Sequence, residues 1–242
     1  MNKEILAIIP ARGGSKSIPN KNMKLLRGKP LIEYTIRSSK NSIFIRRIIL
    51  SSDDNHIISY CRSRGIEVPF IRPERLARDD TPMLEVIVHA LNFLKEKENY
   101  IPEYIILLQP TSPLRTSRHI DESLKTLLDS CTDSIVSVVE VPHNFNPYSA
   151  MEFDGKYLKP FLDFKESNNL RQKKPKFYAR NGPAILAFTY DCLMNKKSMY
   201  GDKILPYFMK REESIDIDEE FDFKMAEYIM KQQVPLAVNQ KN

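Results

Sequence analysis

The chain has 242 residues, of which 42% are hydrophobic, and a formal net charge of +6; this length and composition suffice for one sizeable core and most simply for a single domain over residues 1–242. The longest apolar runs, such as "YIILLQP", are far too short to span a bilayer, so no membrane partner is expected. Three widely spaced cysteines without CxxC spacing exclude a disulfide framework or a zinc site. They favour reduced core thiols and a cytoplasmic location.

Strands and helices alternate over the first 141 residues. Apolar runs predict strands at 4–9, 46–52, 66–71, 103–109 and 134–141. Helical spacing predicts helices at 30–39, at 55–65 with Asn55 as N-cap, at 81–94 with Thr81 as N-cap, and at 117–128. Such alternation is typical of βαβ units, so the predicted fold class is α/β, with a mostly parallel sheet covered on both faces.

The alternation breaks between residues 142 and 176, where Pro, Asn, aromatic and Lys residues mix without a clear period. We interpret this stretch as an insertion, either an arm or a lid. A strand at 183–189 and an amphipathic helix, "FDFKMAEYIMKQ", complete the predicted elements.

Three unusual loops follow predicted strands: "PARGGSK" after the first, "SSDD" after the second and "QPTSPLR" after the fourth. Ligands of open parallel sheets bind outside the carboxyl ends of the strands. We therefore expect these loops to converge on one crevice.

The loop after the first strand combines glycines with positive charge. Gly13-Gly14 lets the backbone approach a ligand closely and offers successive N–H groups to an anion, and Arg12, Lys16 and Lys21 add cations. The chemistry suits a triphosphate, although the loop is not a Walker motif, because GxxxxGK[ST] is absent. On glycines and cations alone, a solvated basic turn is an equally good interpretation.

Two aspartates stand two residues apart near the end of the chain. In the extended segment "SIDID", Asp216 and Asp218 point to the same face. Hard oxygen ligands beside phosphates suit Mg²⁺, which commonly uses one or two protein carboxylates. The alternative is an ordinary acidic strand end.

Five blocks together resemble one family. "IIPARGGSKSIPNKN", "RPERLARDDTPM", "LLQPTSPLR", "RQKKPKFYARNG" and "SIDIDEEFDF" are similar, in order, to the CMP-nonulosonate (sialic-acid-type, acylneuraminate) cytidylyltransferases. The resemblance implies a three-layer nucleotide-diphospho-sugar-transferase (Rossmann-like) fold. It also implies Mg²⁺-dependent transfer of CMP from CTP to the anomeric hydroxyl of a nine-carbon α-keto acid sugar, with release of pyrophosphate. The family's enzymes are homodimers, so the insertion at 142–176 would be a dimerisation arm that reaches the neighbouring active site.

The resemblance also assigns roles to individual residues. The catalytic residues implied are Arg12, Lys21, Asp216 and Asp218, with Asp216 and Asp218 holding the metal. The nucleotide-binding residues implied are Ala11, Gly13, Gly14, Ser15, Lys16, Asn22, Arg72 and Thr81. The sugar-binding residues implied are Gln109, Thr111, Ser112, Arg171, Arg180 and Asn181, with Arg171 acting across a dimer.

One departure from the family leaves the sugar open. Many sialic-acid enzymes follow the Arg-x-Asn-Gly block with a tyrosine, whereas Asn181-Gly182 is followed here by Pro183-Ala184-Ile185. Legionaminic and pseudaminic acids are therefore as good candidates as N-acetylneuraminic acid. The general base and the number of metal ions stay open as well.

Three other functions would each explain part of the sequence. A cytidylyltransferase for the eight-carbon Kdo sugar would generally lack the Gly-Gly-Ser-Lys opening and the Arg-Asn-Gly block, both of which are present. A nucleic-acid-binding protein would explain the basic charge, but no nucleic-acid-binding motif is visible, so a nucleic-acid partner is not expected. A catalytically silent relative is disfavoured by the intact signature residues.

Overall fold

The computed structural model describes residues 3–162 and 175–232. Its strands are β1 (Ile5–Pro10), β2 (Leu25–Leu26), β3 (Lys29–Pro30), β4 (Arg47–Ser51), β5 (Tyr104–Leu107), β6 (Ser134–Glu140), β7 (Met151–Phe153), β8 (Leu158–Pro160), β9 (Tyr178–Arg180), β10 (Leu186–Thr189) and β11 (Ile204–Phe208). Its helices are α1 (Leu31–Lys40), α2 (Asn55–Ser63), α3 (Met83–Glu98), α4 (Ser117–Leu128), α5 (Tyr190–Met194) and α6 (Glu220–Gln232). In these two described ranges, every helix is too short or too polar to cross a bilayer.

The central sheet has the strand order β11-β6-β10-β5-β1-β4, with β9 added beside β6. Strand β1 pairs in parallel with both β4 and β5, and β6 pairs in parallel with β11. Strand β10 runs antiparallel between β5 and β6. The predicted α/β class with a mostly parallel sheet is confirmed, with β10 and the short β9 as the reversed strands.

Helices cover both faces of the sheet because alternate residues of its buried strands point in opposite directions. Ile5, Ala7 and Ile9 of β1 pack into one apolar cluster together with residues of α1, α2 and α4. Leu6 and Ile8 pack into a second cluster on the opposite face, together with residues of α3. The result is three layers, helix on sheet on helix.

A third, smaller cluster connects the loop after β1 to the end of the described chain. Ile18 of that loop packs with Leu26 and Leu31, and with Ile217 and Phe223 from the acidic C-terminal part. This packing fixes "SIDID" beside the glycine-rich loop, although about 200 residues separate them in sequence.

Several predicted boundaries were wrong. Helix α2 takes Asp54, and not Asn55, as its N-cap, because the Asp54 carboxylate accepts hydrogen bonds from the N–H groups of His56 and Ile57. Thr81 does not cap α3: its hydroxyl donates to the carbonyl of Arg75, and the helix follows Pro82 without a side-chain cap.

The strand predicted at 66–71 was also wrong, since that stretch forms only a single bridge, between Ile49 and Glu67. Of the three cysteines, Cys61 and Cys192 are buried as predicted, whereas Cys131 is exposed.

The described part of the predicted insertion contains a small hairpin. Strands β7 and β8 pair antiparallel with each other, apart from the main sheet. Every residue of the two strands is exposed, including Met151, Phe153 and Leu158. The remainder of that insertion lies outside the described residues.

Candidate active site

A cleft of about 490 Å³ opens at the carboxyl ends of β1 and β5. It brings together ten of the residues singled out from the sequence, namely Arg12, Ser15, Lys16, Lys21, Asn22, Arg72, Gln109, Thr111, Asp216 and Asp218. The predicted convergence of the loops on one crevice is therefore confirmed for the first and third loops.

The loop after β1 is held against the end of β4. The N–H of Ala11 donates to the carbonyl of Ser51 at 3.0 Å, and the N–H of Gly13 donates to Asp53 Oδ1 at 3.1 Å. A Cβ on Gly13 would lie 2.6 Å from Asp54 Oδ2, so only glycine allows this approach. The "SSDD" loop thus supports the first loop from behind.

The three cations of the first loop differ in their surroundings. Lys21 has only 12% of its side chain exposed; its Nζ donates to the carbonyl of Ile217 at 2.8 Å and lies 3.6 Å from Asp218 Oδ1. Arg12 and Lys16 both pair with the carboxylate of Asp79. Lys21 therefore joins the first loop to the acidic segment, whereas the other two cations face the segment before α3.

Asn22 helps to fix the backbone beside these cations, because its side-chain amide donates to the carbonyl of Arg12 at 3.0 Å. Ser15 lines the cleft half-buried. Gly14 is exposed, and a Cβ there would meet no atom within 4 Å.

Arg72 lies deep in the structure, with 4% of its surface exposed, yet it lines the cleft. Its Nε donates to Ser51 Oγ at 3.0 Å, and a second guanidinium nitrogen donates to the carbonyl of the same residue. Burial lowers the pKa of Arg72 to about 10, so the group stays charged at neutral pH. An arginine at this position could equally form a surface salt bridge, but Arg72 is buried and bonded to Ser51 instead.

Asp216 and Asp218 both line the cleft, while Ile217 between them is buried in the third cluster. This is the alternation predicted for "SIDID". The backbone N–H of Ile217 donates to the carbonyl of Thr111 at 2.8 Å, which fixes the segment against "QPTSPLR".

The two carboxylates have different environments. Asp218 is exposed, whereas burial raises the pKa of Asp216, and Asp216 Oδ1 is buried without a hydrogen-bond partner. An orphaned carboxylate oxygen beside a second carboxylate and several cations is what a hydrated Mg²⁺ with phosphate ligands would complete. In the described part of the chain, no group of three or more His, Cys, Asp or Glu is arranged as a metal site.

The residues implied for the sugar are less uniformly placed. Gln109 and Thr111 line the cleft, and the Gln109 amide donates to the carbonyl of Gly182 at 3.4 Å. Ser112 is buried with no partner for its hydroxyl. Arg171 lies outside the described residues.

Arg180 and Asn181 do not line the cleft. Arg180 is exposed on β9, where its guanidinium lies 5.0 Å from the ring centre of Tyr200. Asn181 is 6% exposed; its Oδ1 accepts from Ser137 Oγ at 2.5 Å and its amide donates to Ser214 Oγ at 2.9 Å. Its polar atoms serve the fold in this arrangement.

Three residues of the site carried no assignment from the sequence. Gly182 lines the cleft with a φ of +107°, and a Cβ there would lie 2.8 Å from the Asp216 carboxyl carbon. Asp53 and Asp79 accept from the first loop or pair with its cations. The sequence did contain a signal for these two aspartates. Asp53 belongs to "SSDD", one of the loops expected at the crevice, and Asp79 belongs to the block "RPERLARDDTPM".

Known proteins identify the family. The family model described as Cytidylyltransferase matches residues 6–240. The chain therefore belongs to the cytidylyltransferase family. The predicted nucleotidyltransferase family is confirmed, and similar proteins are named as acylneuraminate and legionaminic acid enzymes.

Two relatives illustrate the similarity. The N-acylneuraminate cytidylyltransferase of Escherichia coli O18:K1:H7 is 34% identical over 227 residues; the match covers 93% of this chain, which spans about half (52%) of that protein. The CMP-N,N'-diacetyllegionaminic acid synthase of Legionella pneumophila is 33% identical over 231 residues, covering 94% of this chain and 96% of that protein.

Among solved structures, CMP:2-keto-3-deoxy-manno-octonic acid synthetase complexed with CTP matches with a TM-score of 0.70. The match covers 96% of this chain and all of that one at 14% identity, which is evidence for a shared fold alone.

Proposed function

We propose that this cytidylyltransferase transfers CMP from CTP to the anomeric hydroxyl of a nine-carbon α-keto acid sugar and releases pyrophosphate. The observation that carries the proposal is the cleft itself, which is lined by the cations of the first loop and by Asp216 and Asp218. The names of the relatives supply the substrate class.

The cations would bind the triphosphate. In-line attack by the anomeric oxygen on the α-phosphorus gathers negative charge on the non-bridging oxygens and on the leaving pyrophosphate. Lys21 is already fixed by the Ile217 carbonyl, so it meets that charge with little rearrangement. Arg12 and Lys16 would take the outer phosphates after leaving Asp79.

The cytosine would lie toward Arg72. Ser51 orients the guanidinium of Arg72 at the wall of the cleft. A buried, fixed donor discriminates between bases better than a mobile surface side chain. Met83 lines the same wall, next to the segment that carries Thr81.

Mg²⁺ is the proposed metal, with Asp216 and Asp218 as its protein ligands. The orphaned Asp216 Oδ1 is the observation that favours it. When bound, the ion would act as a Lewis acid on the phosphoryl oxygens. The roles of the chain's own residues are to hold Asp216 in place through Gly182 and Thr111 and to balance its charge with Lys21.

The sugar would lie beside Gln109 and Thr111, whose amide and hydroxyl suit a polyhydroxylated ligand. Its carboxylate requires a cation, and Arg180 and Arg171 are the family candidates. Because Arg180 does not line its own cleft, we propose that it reaches sugar only in an assembled dimer.

We propose a homodimer formed through the hairpin β7-β8 and the neighbouring strands. Exposed apolar side chains concentrate there, including Phe153, Leu158, Tyr178 and Phe208. Large exposed apolar patches rimmed by polar residues mark interaction sites. Changing Phe153 to Lys should convert a dimer into a monomer on analytical ultracentrifugation, whereas changing the equally exposed Ile43 to Lys should not.

The decisive experiment is pyrophosphate release with CTP and Mg²⁺ in the presence of N-acetylneuraminic, legionaminic, pseudaminic or Kdo acid. Release with one nine-carbon acid is the expected result. Release with Kdo alone, or none with any acid in a folded protein that binds CTP, would contradict the proposal.

A further inference from the structure

The carboxylate of Asp79 lies between two cations of the first loop. Its Oδ2 is 2.5 Å from Lys16 Nζ, and its Oδ1 pairs with the guanidinium of Arg12. Each oxygen thus serves a different cation. Lys16, and after it Arg12, hold the pKa of Asp79 below its usual value.

This arrangement is the one that two phosphate oxygens would adopt. Arg12 and Lys16 line the cleft and are the cations proposed for the outer phosphates. Both cannot pair closely with Asp79 and with a triphosphate at the same time, because the carboxylate and the phosphates would repel each other at contact distance. In the free protein, the carboxylate of Asp79 therefore competes with a bound anion for Arg12 and Lys16.

The competitor sits on a short segment that is fixed at both ends. Before it, the N–H of Ala77 donates to the carbonyl of Glu74 at 2.9 Å; after it, the Thr81 hydroxyl donates to the carbonyl of Arg75 at 3.1 Å. Residues 78–80 lie between these two hydrogen bonds, and the N–H of Thr81 also donates to the carbonyl of Arg78 at 3.4 Å. Arg72 and Met83, which line the cleft, flank the same segment.

We propose that Asp79 occupies the position of a phosphate group between Arg12 and Lys16 in the free protein and is displaced by CTP. This inference rests on the proposed function. Any anion that binds Arg12 and Lys16 must first displace the carboxylate of Asp79. Asp79 therefore lowers the affinity of these cations for CTP, for inorganic polyphosphates and for the pyrophosphate product alike.

The test uses inorganic tripolyphosphate as the probe, titrated calorimetrically into wild type, Asp79→Asn and Asp80→Asn at fixed ionic strength. Asp80 is an exposed neighbour, so its variant changes the net charge by the same amount. The expected result is that Asp79→Asn binds tripolyphosphate about 3- to 10-fold more tightly, while Asp80→Asn changes affinity by less than about twofold.

Unchanged or weaker binding by Asp79→Asn, or an equal gain in both variants, would overturn the inference. A parallel assay of pyrophosphate inhibition should show a lower inhibition constant for Asp79→Asn. The proposed function fails by a different result: absence of turnover by wild type with CTP and every sugar acid. That result would leave the tripolyphosphate comparison intact.

Discussion

The side of the cleft proposed for the nucleotide and the side proposed for the sugar are built differently. On the nucleotide side Arg72 is buried, and Ser51 orients its guanidinium with two acceptors. On the sugar side Arg180 is exposed and stacks on Tyr200, outside its own cleft. The guanidinium of Arg72 is thus held in place by buried hydrogen bonds without any ligand, whereas that of Arg180 is not.

The difference follows from what each side must do. Stabilising charge in phosphoryl transfer depends on donors that do not reorganise, and these have to be packed into the fold. The small cluster of Ile18 and Ile217 does this for the first loop and the acidic segment. The residues proposed for recognition of the sugar lie near the hairpin, whose apolar side chains are exposed in the single chain.

The largest expected effect tests the nucleotide side. Changing Lys21 to Met keeps much of the side-chain volume but removes the cation that contacts Ile217 and faces Asp218. We expect kcat to fall by about 100- to 1000-fold, the range seen when one preorganised donor is lost. Pyrophosphate release at saturating CTP measures it.

Lys24 provides the matched comparison. Lys24 lies three residues further along the chain, pairs with Glu220 and lies over the ring of Phe223. It does not line the cleft that Lys21 lines. Changing Lys24 to Met should lower kcat by less than about threefold, since exposed pairs contribute about 0.2–1 kcal/mol. Equal losses of kcat in both variants would mean that the net positive charge of the region, and not the position of Lys21, supports the reaction.

Asp216 should separate activity from stability. Burial raises its pKa, so the charged carboxylate destabilises the folded protein at neutral pH. Changing Asp216 to Asn should lower kcat by about 100-fold, because Lewis-acid stabilisation is worth several kcal/mol. In metal-free buffer the same variant should melt at a higher temperature than wild type.

The difference in stability between Asp216→Asn and wild type should depend on pH. As the pH falls through the raised pKa of Asp216, its carboxylate takes up a proton and the cost of burying charge is relieved. The stability gap between variant and wild type should therefore be largest at neutral pH and shrink in acid. A lower melting temperature for the variant at pH 7, measured with EDTA present, would contradict this account.

Some features of the cleft were visible in the sequence and others were not, for a physical reason. The alternation of "SIDID" is a local signal, and both of its aspartates line the cleft. The role of Asn181 depends on Ser137 and Ser214, which are far away in sequence, so no local pattern shows it. The reversed strand β10 has the same cause, because an apolar run does not encode its direction.

Asn181 should act mainly on stability. Changing it to Ala removes its hydrogen bonds with the hydroxyls of Ser137 and Ser214, each of which keeps a backbone carbonyl as a second partner. Two lost bonds of about 0.5–1.5 kcal/mol each should cost about 1–3 kcal/mol. A melting temperature lower by roughly 2–10 °C is expected, with KM for CTP and for the sugar changing together. Ser214→Ala removes one of the same bonds and should give a smaller loss that is not additive with the first. A sugar KM that rises alone, without loss of stability, would instead place Asn181 against the sugar.

Arg180 should have the smallest effect in a single chain and is therefore the sharpest test of the contrast. Changing it to Ala removes an exposed contact with Tyr200 worth about 0.5–1 kcal/mol. If each cleft worked alone, KM for CTP and for the sugar should both stay within about threefold of wild type. If Arg180 serves the neighbouring cleft of a dimer, the sugar KM should rise about tenfold or more while the CTP KM stays constant, as expected for loss of a charge-assisted pair to a carboxylate. We expect the second result, and Phe153→Lys should then reproduce the rise in sugar KM while leaving Arg180 in place.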